Sequence, residues 1–240
     1  MSLNLNLEDP SAVASLIDHT LLKPDAREAD VTQLCEEALR WNFASVCVNP
    51  YWVPLCASVL AGSPVNICTV IGFPLGANAP VIKLAEAEHA LQSGAQELDL
   101  VQNIGALRSG QLASVDKEIE DLARRVHHAG SLLKVILETS LLTDEEIVLS
   151  CRLAVRAGAD FVKTSTGFSG GGATKAHVAL LRQAVGLAIG VKASGGIRTL
   201  AVLREMVSAG ANRIGSSSGI AILNELAAAG TGAAAPEGGY

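Results

Sequence analysis

The sequence has few aromatic residues, no surplus of positive charge and no long apolar run. Aromatic residues make up 3% of its 240 residues while 49% are hydrophobic, which suits aliphatic helices packed on buried strands. Acidic residues outnumber basic ones by 24 to 18, so the net charge is -6 and the overall field would not attract a nucleic acid. No apolar run reaches the roughly 18 residues that a membrane span needs. We therefore expect a soluble protein with no nucleic-acid or membrane partner.

The cysteines are odd in number and include no Cys-x-x-Cys pair, which argues against a disulfide framework and a thiolate zinc site. We expect all of them to be buried thiols in a reducing compartment: Cys35, Cys47, Cys56, Cys68 and Cys151. The first ten residues contain no basic residue and include Glu8 and Asp9, which is unlike an export signal. A cytoplasmic location is therefore expected.

Short β-branched segments alternate with longer Ala-rich amphipathic segments from about residue 44 to residue 229, which is typical of repeated βα units and a parallel sheet. The predicted strands are Ala44–Val48, Val65–Ile71, Glu97–Val101, Leu132–Glu138, Phe161–Ser165, Gly190–Ala193 and Arg213–Gly215. An eighth strand is not assigned by the pattern. The candidate is the short segment Thr20–Lys23, which follows a predicted first helix at Pro10–Ile17.

Regular spacing over this length predicts a closed (β/α)8 TIM barrel, a single domain covering residues 1–240 with an extra N-terminal helix. Thr143 and Thr199 are the expected N-caps of two of its helices. The alternative is an open flavodoxin-like or Rossmann sheet, but no Gly-x-Gly-x-x-Gly turn follows the first strand. From Ala227 to Tyr240 the chain is rich in Ala and Gly without an apolar period, which predicts a flexible C-terminal tail.

Two lysines lie at the ends of neighbouring predicted strands, where the strands of a parallel barrel open into one bowl. Lys163 and Lys192 are each followed by a small, polar, glycine-containing loop. A single strand lysine is often an outward-facing side chain that reaches solvent, but two in this setting favour a reactive amine. A nucleophilic amine must be neutral, whereas an ordinary lysine has a pKa of about 10.4. Repulsion from a second ammonium and partial desolvation are expected to lower such a pKa.

Asp99 is the candidate for proton transfer beside these lysines. It shares a strand face with Glu97, and the alternation alone does not decide which of the two acids faces the lumen. A structural ion pair with a neighbouring lysine is the alternative interpretation of Asp99. Lys134 and Glu138 also share a face, and we expect them to form a structural pair.

Three glycine-containing loops follow the late strands and predict a phosphate site. They are Thr166-Gly167, Ser194-Gly195-Gly196 and Gly215-Ser216-Ser217-Ser218-Gly219. Backbone amides and serine hydroxyls at a helix N-terminus favour an anion, and phosphate sites recur in the late loops of such barrels. Glycines are also ordinary turn residues, so only the three loops together carry this prediction.

These residues, with further motifs along the chain, resemble the deoxyribose-phosphate aldolase family of Schiff-base (class I) aldolases on a (β/α)8 barrel. The further motifs are Ile17–Pro24, Val46–Pro50, Thr69–Gly76, Asn103–Leu107 and Leu133–Thr139. The resemblance implies reversible cleavage of 2-deoxy-D-ribose 5-phosphate to D-glyceraldehyde 3-phosphate and acetaldehyde. It also implies that no metal or other cofactor takes part.

The resemblance further implies roles for single residues. Lys163 resembles the Schiff-base lysine, Lys192 the neighbour that promotes loss of its proton, and Asp99 the acid/base group that acts through water. Five residues resemble the phosphate-binding positions of the family: Gly167, Gly196, Gly215, Ser217 and Ser218. Three resemble its substrate-channel positions: Asp18, Thr20 and Cys47. Tyr240 resembles a C-terminal tyrosine that can assist proton transfer in the family.

Two other functions fit parts of the pattern. A metal-dependent aldolase would need several converging ligands, yet of the five histidines only His19 lies near a candidate strand end. A non-catalytic phosphosugar-binding or regulatory barrel could keep the glycine loops, but it has no need for two strand lysines with Asp99. The expected partners are a small phosphosugar and an aldehyde, and apolar helix faces leave room for a homodimer.

Overall fold

The protein is a closed barrel of eight parallel strands in a computed structural model that describes residues 6–230. Each strand pairs with the next along the chain, and the last pairs with the first. The strands are β1 (Ile17–Leu21), β2 (Ser45–Val48), β3 (Asn66–Ile71), β4 (Glu97–Val101), β5 (Leu132–Ile136), β6 (Phe161–Lys163), β7 (Gly190–Ser194) and β8 (Arg213–Ser216). The predicted (β/α)8 barrel is confirmed, and the open-sheet alternative is wrong.

Helices surround the barrel and connect its strands. They are α1 (Pro10–Ala14), α2 (Glu28–Trp41), α3 (Val53–Val59), α4 (Pro80–Gln92), α5 (Ile104–Arg108), α6 (Leu112–His128), α7 (Asp144–Arg156), α8 (Lys175–Val185), α9 (Leu200–Ser208) and α10 (Gly219–Gly230). As predicted, Thr143 caps α7 by accepting a hydrogen bond from the backbone N–H of Glu146, and Thr199 caps α9 in the same way. None of the helices within residues 6–230 is long and apolar enough to cross a membrane.

Both ends of the barrel domain differ from the sequence prediction. The first helix ends at Ala14, and β1 begins at Ile17, three residues before the predicted eighth strand. The polar residues of β1 interrupt the apolar pattern by which a strand is recognised in the sequence, because Asp18 faces the charged lumen rather than an apolar core. At the other end, α10 continues to Gly230, so residues 227–230 are helical and do not belong to the predicted tail. Residues 231–240, and with them Tyr240, lie outside the described residues.

Aliphatic side chains fill the space between the strands and the helices. On α6, for example, the buried residues Val115, Ile119, Leu122 and Val126 recur at the spacing of one helix face, while charged residues cover the other. Fully burying one such side chain contributes about 1.5–3 kcal/mol. The five cysteines are buried and form no disulfide. This apolar layer fixes the strands around a lumen that is itself strongly charged.

One buried ion pair lies outside the lumen, between α4 and α6. The Lys83 ammonium is 2.7 Å from a carboxylate oxygen of Glu118 and donates to the carbonyl of Val101, at 2.9 Å. Both charged side chains are almost completely buried. The pair therefore joins two outer helices to the end of β4.

Candidate active site

Three lysines meet one carboxylate in the lumen. Lys163 on β6 and Lys192 on β7 each place their nitrogen 2.7 Å from Oδ2 of Asp99 on β4. Lys134 on β5 donates to the other oxygen, Oδ1, at 2.9 Å. The barrel register explains this meeting, because Asp99 is the β-partner of Lys134 and Lys163 is the β-partner of Lys192. The structure thus brings together the two lysines and the acid that the sequence singled out, and adds a third lysine.

A second charged layer lies deeper in the lumen. Glu97 places Oε2 2.6 Å from the Lys134 nitrogen, and Arg213 on β8 lies 3.4 Å from the same carboxylate. Arg213 also donates to Oδ1 of Asp18 at 2.7 Å, while the second oxygen of Asp18 contacts the Lys192 ammonium. Glu97 and Asp99 therefore both face the lumen, in different layers, which answers the question that the strand alternation left open.

The surrounding charges decide which of these groups are ionised. Burial by itself raises the pKa of Asp99, but Lys134, Lys163 and Lys192 together hold it well below its ordinary value. Burial likewise works to lower the pKa of Lys192, but Asp18 and Asp99 raise it above its ordinary value. At neutral pH the lumen therefore holds an Asp99 carboxylate and a Lys192 ammonium.

The predicted repulsion between Lys163 and Lys192 is an incomplete account of this lumen. Both nitrogens lie 2.7 Å from one oxygen, so they cannot be farther apart than twice that distance. At an effective dielectric constant of 20, their repulsion is then about 3 kcal/mol or more, whereas the attraction of either ammonium to Asp99 is about 6 kcal/mol. The balance of all the lumen charges, and not one repelling pair, governs the protonation of the amines.

The predicted pair between Lys134 and Glu138 is wrong. β5 ends at Ile136, and Glu138 has a left-handed backbone with φ 59° and ψ 62°, so the strand alternation no longer applies to it. Its buried carboxylate accepts hydrogen bonds from the hydroxyl and the backbone N–H of Thr166 and from the hydroxyl of Ser169, the last at 3.0 Å. Glu138 therefore holds the loop that follows the Lys163 strand.

A cavity of about 240 Å³ opens above the lysines at the C-terminal end of the barrel. Of the three lumen lysines only Lys163 lines it, with 3% of the residue exposed, whereas Lys134 and Lys192 are completely buried. The predicted site residues that line the cavity are Thr20, Lys163, Thr166, Gly167, Gly195, Gly196, Gly215 and Ser217. Three of the predicted substrate and phosphate residues do not line it. Asp18 and Cys47 are buried in the lumen, and Ser218 directly precedes α10, its N–H bonded to the Ser216 hydroxyl.

The glycines of the cavity wall allow neighbouring loops and side chains to approach the backbone more closely than larger residues would permit. Gly167 and Gly195 have φ values of 85° and 93°, and a Cβ atom on Gly195 would lie 2.9 Å from Cα of Gly172. A Cβ atom on Gly215 would lie 2.8 Å from Cβ of Ser194 and 3.1 Å from Cε of Lys192. Gly215 therefore leaves room for Lys192 in addition to lining the cavity.

Two groups of possible metal ligands occur within residues 6–230: Cys47, Cys68 and Asp99, and Asp18, Cys68 and Glu97. In both groups the carboxylates already bind ammonium or guanidinium groups, and the Cys68 thiol donates to Asp99 at 3.2 Å. A divalent cation there would lie among several fixed positive charges. His19 bonds to Glu37 of α2, away from both groups. We assign no metal to this lumen.

Comparison with known proteins places the chain in one family. The model of the DeoC/LacD family aldolases matches residues 12–225, which include the whole barrel and every described residue of the lumen. The chain is a DeoC/LacD family aldolase.

Deoxyribose-phosphate aldolases from other organisms match this chain over almost their full length. The deoxyribose-phosphate aldolase of Halalkalibacterium halodurans is 55% identical over 214 residues, which is 89% of this chain and 95% of the relative. That of Brevibacillus brevis is 56% identical over 217 residues, 90% of this chain and 97% of the relative. A solved tetrameric structure of deoxyribose phosphate aldolase from Aeropyrum pernix superposes with a TM-score of 0.87 at 37% identity, covering 92% of this chain and 93% of that one.

Sequence reasoning misses four cations of this aldolase site. Lys134 and Arg213 lie in the lumen, although the sequence pairs Lys134 with Glu138 and marks Arg213 only as the start of a strand. Lys23 and Arg198 line the cavity. Their signal was present, since Lys23 follows the Asp18 strand and Arg198 follows the Gly195-Gly196 turn. Basic residues next to glycine loops indicate an anion-binding wall more strongly than the glycines alone.

Proposed function

We propose that this chain catalyses the reversible cleavage of 2-deoxy-D-ribose 5-phosphate to D-glyceraldehyde 3-phosphate and acetaldehyde through a Schiff base on Lys163. The observation that carries the residue assignment is that Lys163, alone among the three lumen lysines, reaches the cavity while its nitrogen contacts Asp99. Curated relatives of nearly equal length are named for this activity.

The reaction begins when the neutral Lys163 amine attacks C1 of the open-chain sugar. Uptake of one proton and loss of water leave a protonated imine. The C3 hydroxyl then loses its proton and the C2–C3 bond breaks, so that C3 becomes the aldehyde carbon of glyceraldehyde 3-phosphate. The electron pair of that bond moves to C2, and the imine becomes an enamine. Protonation of C2 and hydrolysis of the imine release acetaldehyde and restore the amine.

Asp99 and Lys192 have the charges that these proton transfers require. The ionised Asp99 carboxylate can accept a proton, directly or through water, and the Lys192 ammonium that shares its Oδ2 can return one. Because the two groups are hydrogen-bonded to each other, a proton taken by one is readily passed to the other. We assign them jointly to the C3 hydroxyl and to C2.

We place the phosphate end of the sugar among the glycine loops of the cavity. Gly167, Gly196, Gly215 and Ser217 line it together with the cations Lys23 and Arg198. Amides, a hydroxyl and two cations suit a phosphate dianion. The aldehyde end of a bound sugar would then point towards Lys163.

The proposal is tested by incubating the protein with acetaldehyde and borohydride, which reduces a Schiff base to a stable secondary amine. Peptide mass spectrometry should find an ethyl group on Lys163, and Lys163→Ala should lose both the adduct and turnover while still binding the phosphosugar. An adduct on Lys192 would reverse the roles of the two lysines. A folded protein that binds deoxyribose 5-phosphate but forms no adduct would instead be a phosphosugar-binding barrel.

We further propose a homodimer of single-domain chains in a cytoplasmic, reducing setting. Three apolar side chains on or just before α4 support self-association, since Leu75, Val81 and Ile82 are 71%, 69% and 54% exposed. The Aeropyrum pernix relative is described as tetrameric, and light scattering of the purified protein distinguishes the two assemblies.

The free, buried cysteines support the reducing setting. Assistance by Tyr240 and a flexible tail over residues 231–240 remain predictions.

A further inference from the structure

Among residues 6–230, seven charged side chains meet in the lumen, and six of them form a closed ring of alternating sign. In order around the ring they are Asp99, Lys134, Glu97, Arg213, Asp18 and Lys192, and Lys192 contacts Asp99 again. Asp99 lies 2.9 Å from Lys134, and Lys134 lies 2.6 Å from Glu97. Glu97 lies 3.4 Å from Arg213, and Arg213 lies 2.7 Å from Asp18. The closing contact from Lys192 to Asp99 is 2.7 Å.

Lys163 stands outside this ring. Each of the three ring cations contacts at least two carboxylates, and Lys134 also lies 3.8 Å from Asp18, whereas the only carboxylate that contacts Lys163 among the residues described is Asp99. The three cations of the ring balance its three carboxylates. Lys163 is therefore the surplus positive charge of the lumen, and it is also the lysine that reaches the cavity.

We propose that Lys134 and Glu97, which do not line the cavity, are positioning residues that make Lys163 the amine that gives up its proton. The inference rests on the proposed Schiff-base function and extends it from the reacting groups to the floor of the lumen. Lys134 holds Oδ1 of Asp99, so Oδ2 is left to Lys163 and Lys192. It also supplies the positive charge without which the ring would need Lys163 as a cation.

The physical reason is that a buried lumen has no counter-ions of its own. When the fixed charges of such a site do not balance, the most accessible ionisable group changes its protonation, because an uncompensated buried charge is costly. The Arg213 side chain is 14% exposed, but a guanidinium keeps its proton in proteins. The other five ring members are completely buried, and Lys163 is the lumen lysine that lines the cavity. The number of ring charges therefore determines whether the Lys163 proton is needed.

The Asn66 amide and the Cys68 thiol fill further contacts of the ring and add no charge to this balance. Asn66 on β3 donates to Glu97 at 3.0 Å, and the Cys68 thiol contacts Asp99 and Lys134. Burial raises the pKa of the Cys68 thiol well above its ordinary value, so this group is neutral. From β2, the Cys47 thiol faces the same cluster next to Cys68, and its hydrogen bond with Cys68 lowers its pKa from the ordinary thiol value.

Charge-changing variants of the two positioning residues test the inference, with reductive trapping of acetaldehyde on Lys163 measured as a function of pH. Lys134→Met removes a ring cation and should move the midpoint of adduct formation to higher pH by about one unit. Glu97→Gln removes a ring carboxylate, keeps the acceptor for Asn66 and should move the midpoint to lower pH by a similar amount. The double variant restores the balance and should return the midpoint close to that of the wild type.

Lys83→Met is the matched control, because it removes another fully buried, ion-paired lysine from outside the lumen. It should leave the midpoint unchanged. A purely structural role for Lys134 and Glu97 predicts lower adduct yields without opposite pH shifts, and a double variant worse than either single one. Midpoints that stay fixed, or that move in the same direction, overturn the inference. If Lys134→Met does not fold, the shift of the isosteric Glu97→Gln variant alone decides. No adduct on the wild-type chain would overturn the proposed function itself.

Discussion

Replacing Asp99 by asparagine removes the charge on which three lysines converge while keeping the shape of the side chain. Lys134, Lys163 and Lys192 would then lose their common acceptor charge, and only Asp18 and Glu97 would remain to balance four lumen cations. We expect Asp99→Asn to fold at moderately alkaline pH and to be strongly destabilised at neutral pH.

The magnitude follows from the contacts. Removing one partner of a buried ion pair costs about 3–5 kcal/mol, and because three pairs are broken here we expect about 5 kcal/mol near pH 7. The unfolded chain binds more protons than the native variant, whose crowded lysines are partly neutral, so stability must rise with pH. One such lysine contributes about 1.4 kcal/mol per pH unit, or about 2.7 kcal/mol from about pH 7 to about pH 9. The wild-type contribution of Asp99 is constant over this range, since its lowered pKa makes the carboxylate lose its stabilising effect only in acid.

Urea unfolding of wild type and variant at several pH values measures this difference directly. Asp121→Asn is the control, because Asp121 lies on the outer surface of α6 and its loss should change stability by less than about 1 kcal/mol at every pH. The variant should still form the acetaldehyde adduct, yet turnover should fall by about 100-fold or more because the proton-transfer group is gone. Parallel stability curves for wild type and Asp99→Asn from about pH 7 to about pH 9 would refute the reasoning.

Two further predictions concern packing around the site. Gly215→Ala should lower kcat by about 10-fold or more while changing KM for the sugar phosphate much less, because the new Cβ displaces the side chains of Ser194 and Lys192 and not the backbone amides. Equal changes in kcat and KM would contradict this. Lys83→Met should lower the free energy of unfolding by about 3–5 kcal/mol in urea, since Glu118 is left buried and unpaired, and the double variant with Glu118→Met should recover most of it. A single variant as stable as wild type would show that Glu118 finds another partner.

The fold could be predicted because seven of the eight strands are short β-branched runs between amphipathic helices. β1 could not, because the three consecutive polar residues Asp-His-Thr in its centre leave no apolar run. Two of its polar side chains are nevertheless buried, Asp18 by the lumen cations and His19 by Glu37 of α2. A strand that is buried through ion pairs leaves no hydrophobic pattern in the sequence.

The layers of the lumen could not be predicted from strand alternation, which gives the face of a strand but not the height at which two strands meet. Asp99 lies beside Lys134, and Lys163 beside Lys192, only because of the stagger between neighbouring strands. Alternation also assigned Lys134 to Glu138, since it could not register that β5 stops at Ile136.

The ring and the reactive lysine depend on each other through this stagger. The ring closes where Lys192 reaches both Asp18 and Asp99, and it has room to do so because Gly215 on β8, beside its Cε atom, has no side chain. Once closed, the ring satisfies its own carboxylates, and a further lysine in the same lumen has no second acid to bind. The strong ion pairs of the ring cations thus leave the positive charge of Lys163 in excess. This excess favours loss of the Lys163 proton, which makes the amine a nucleophile.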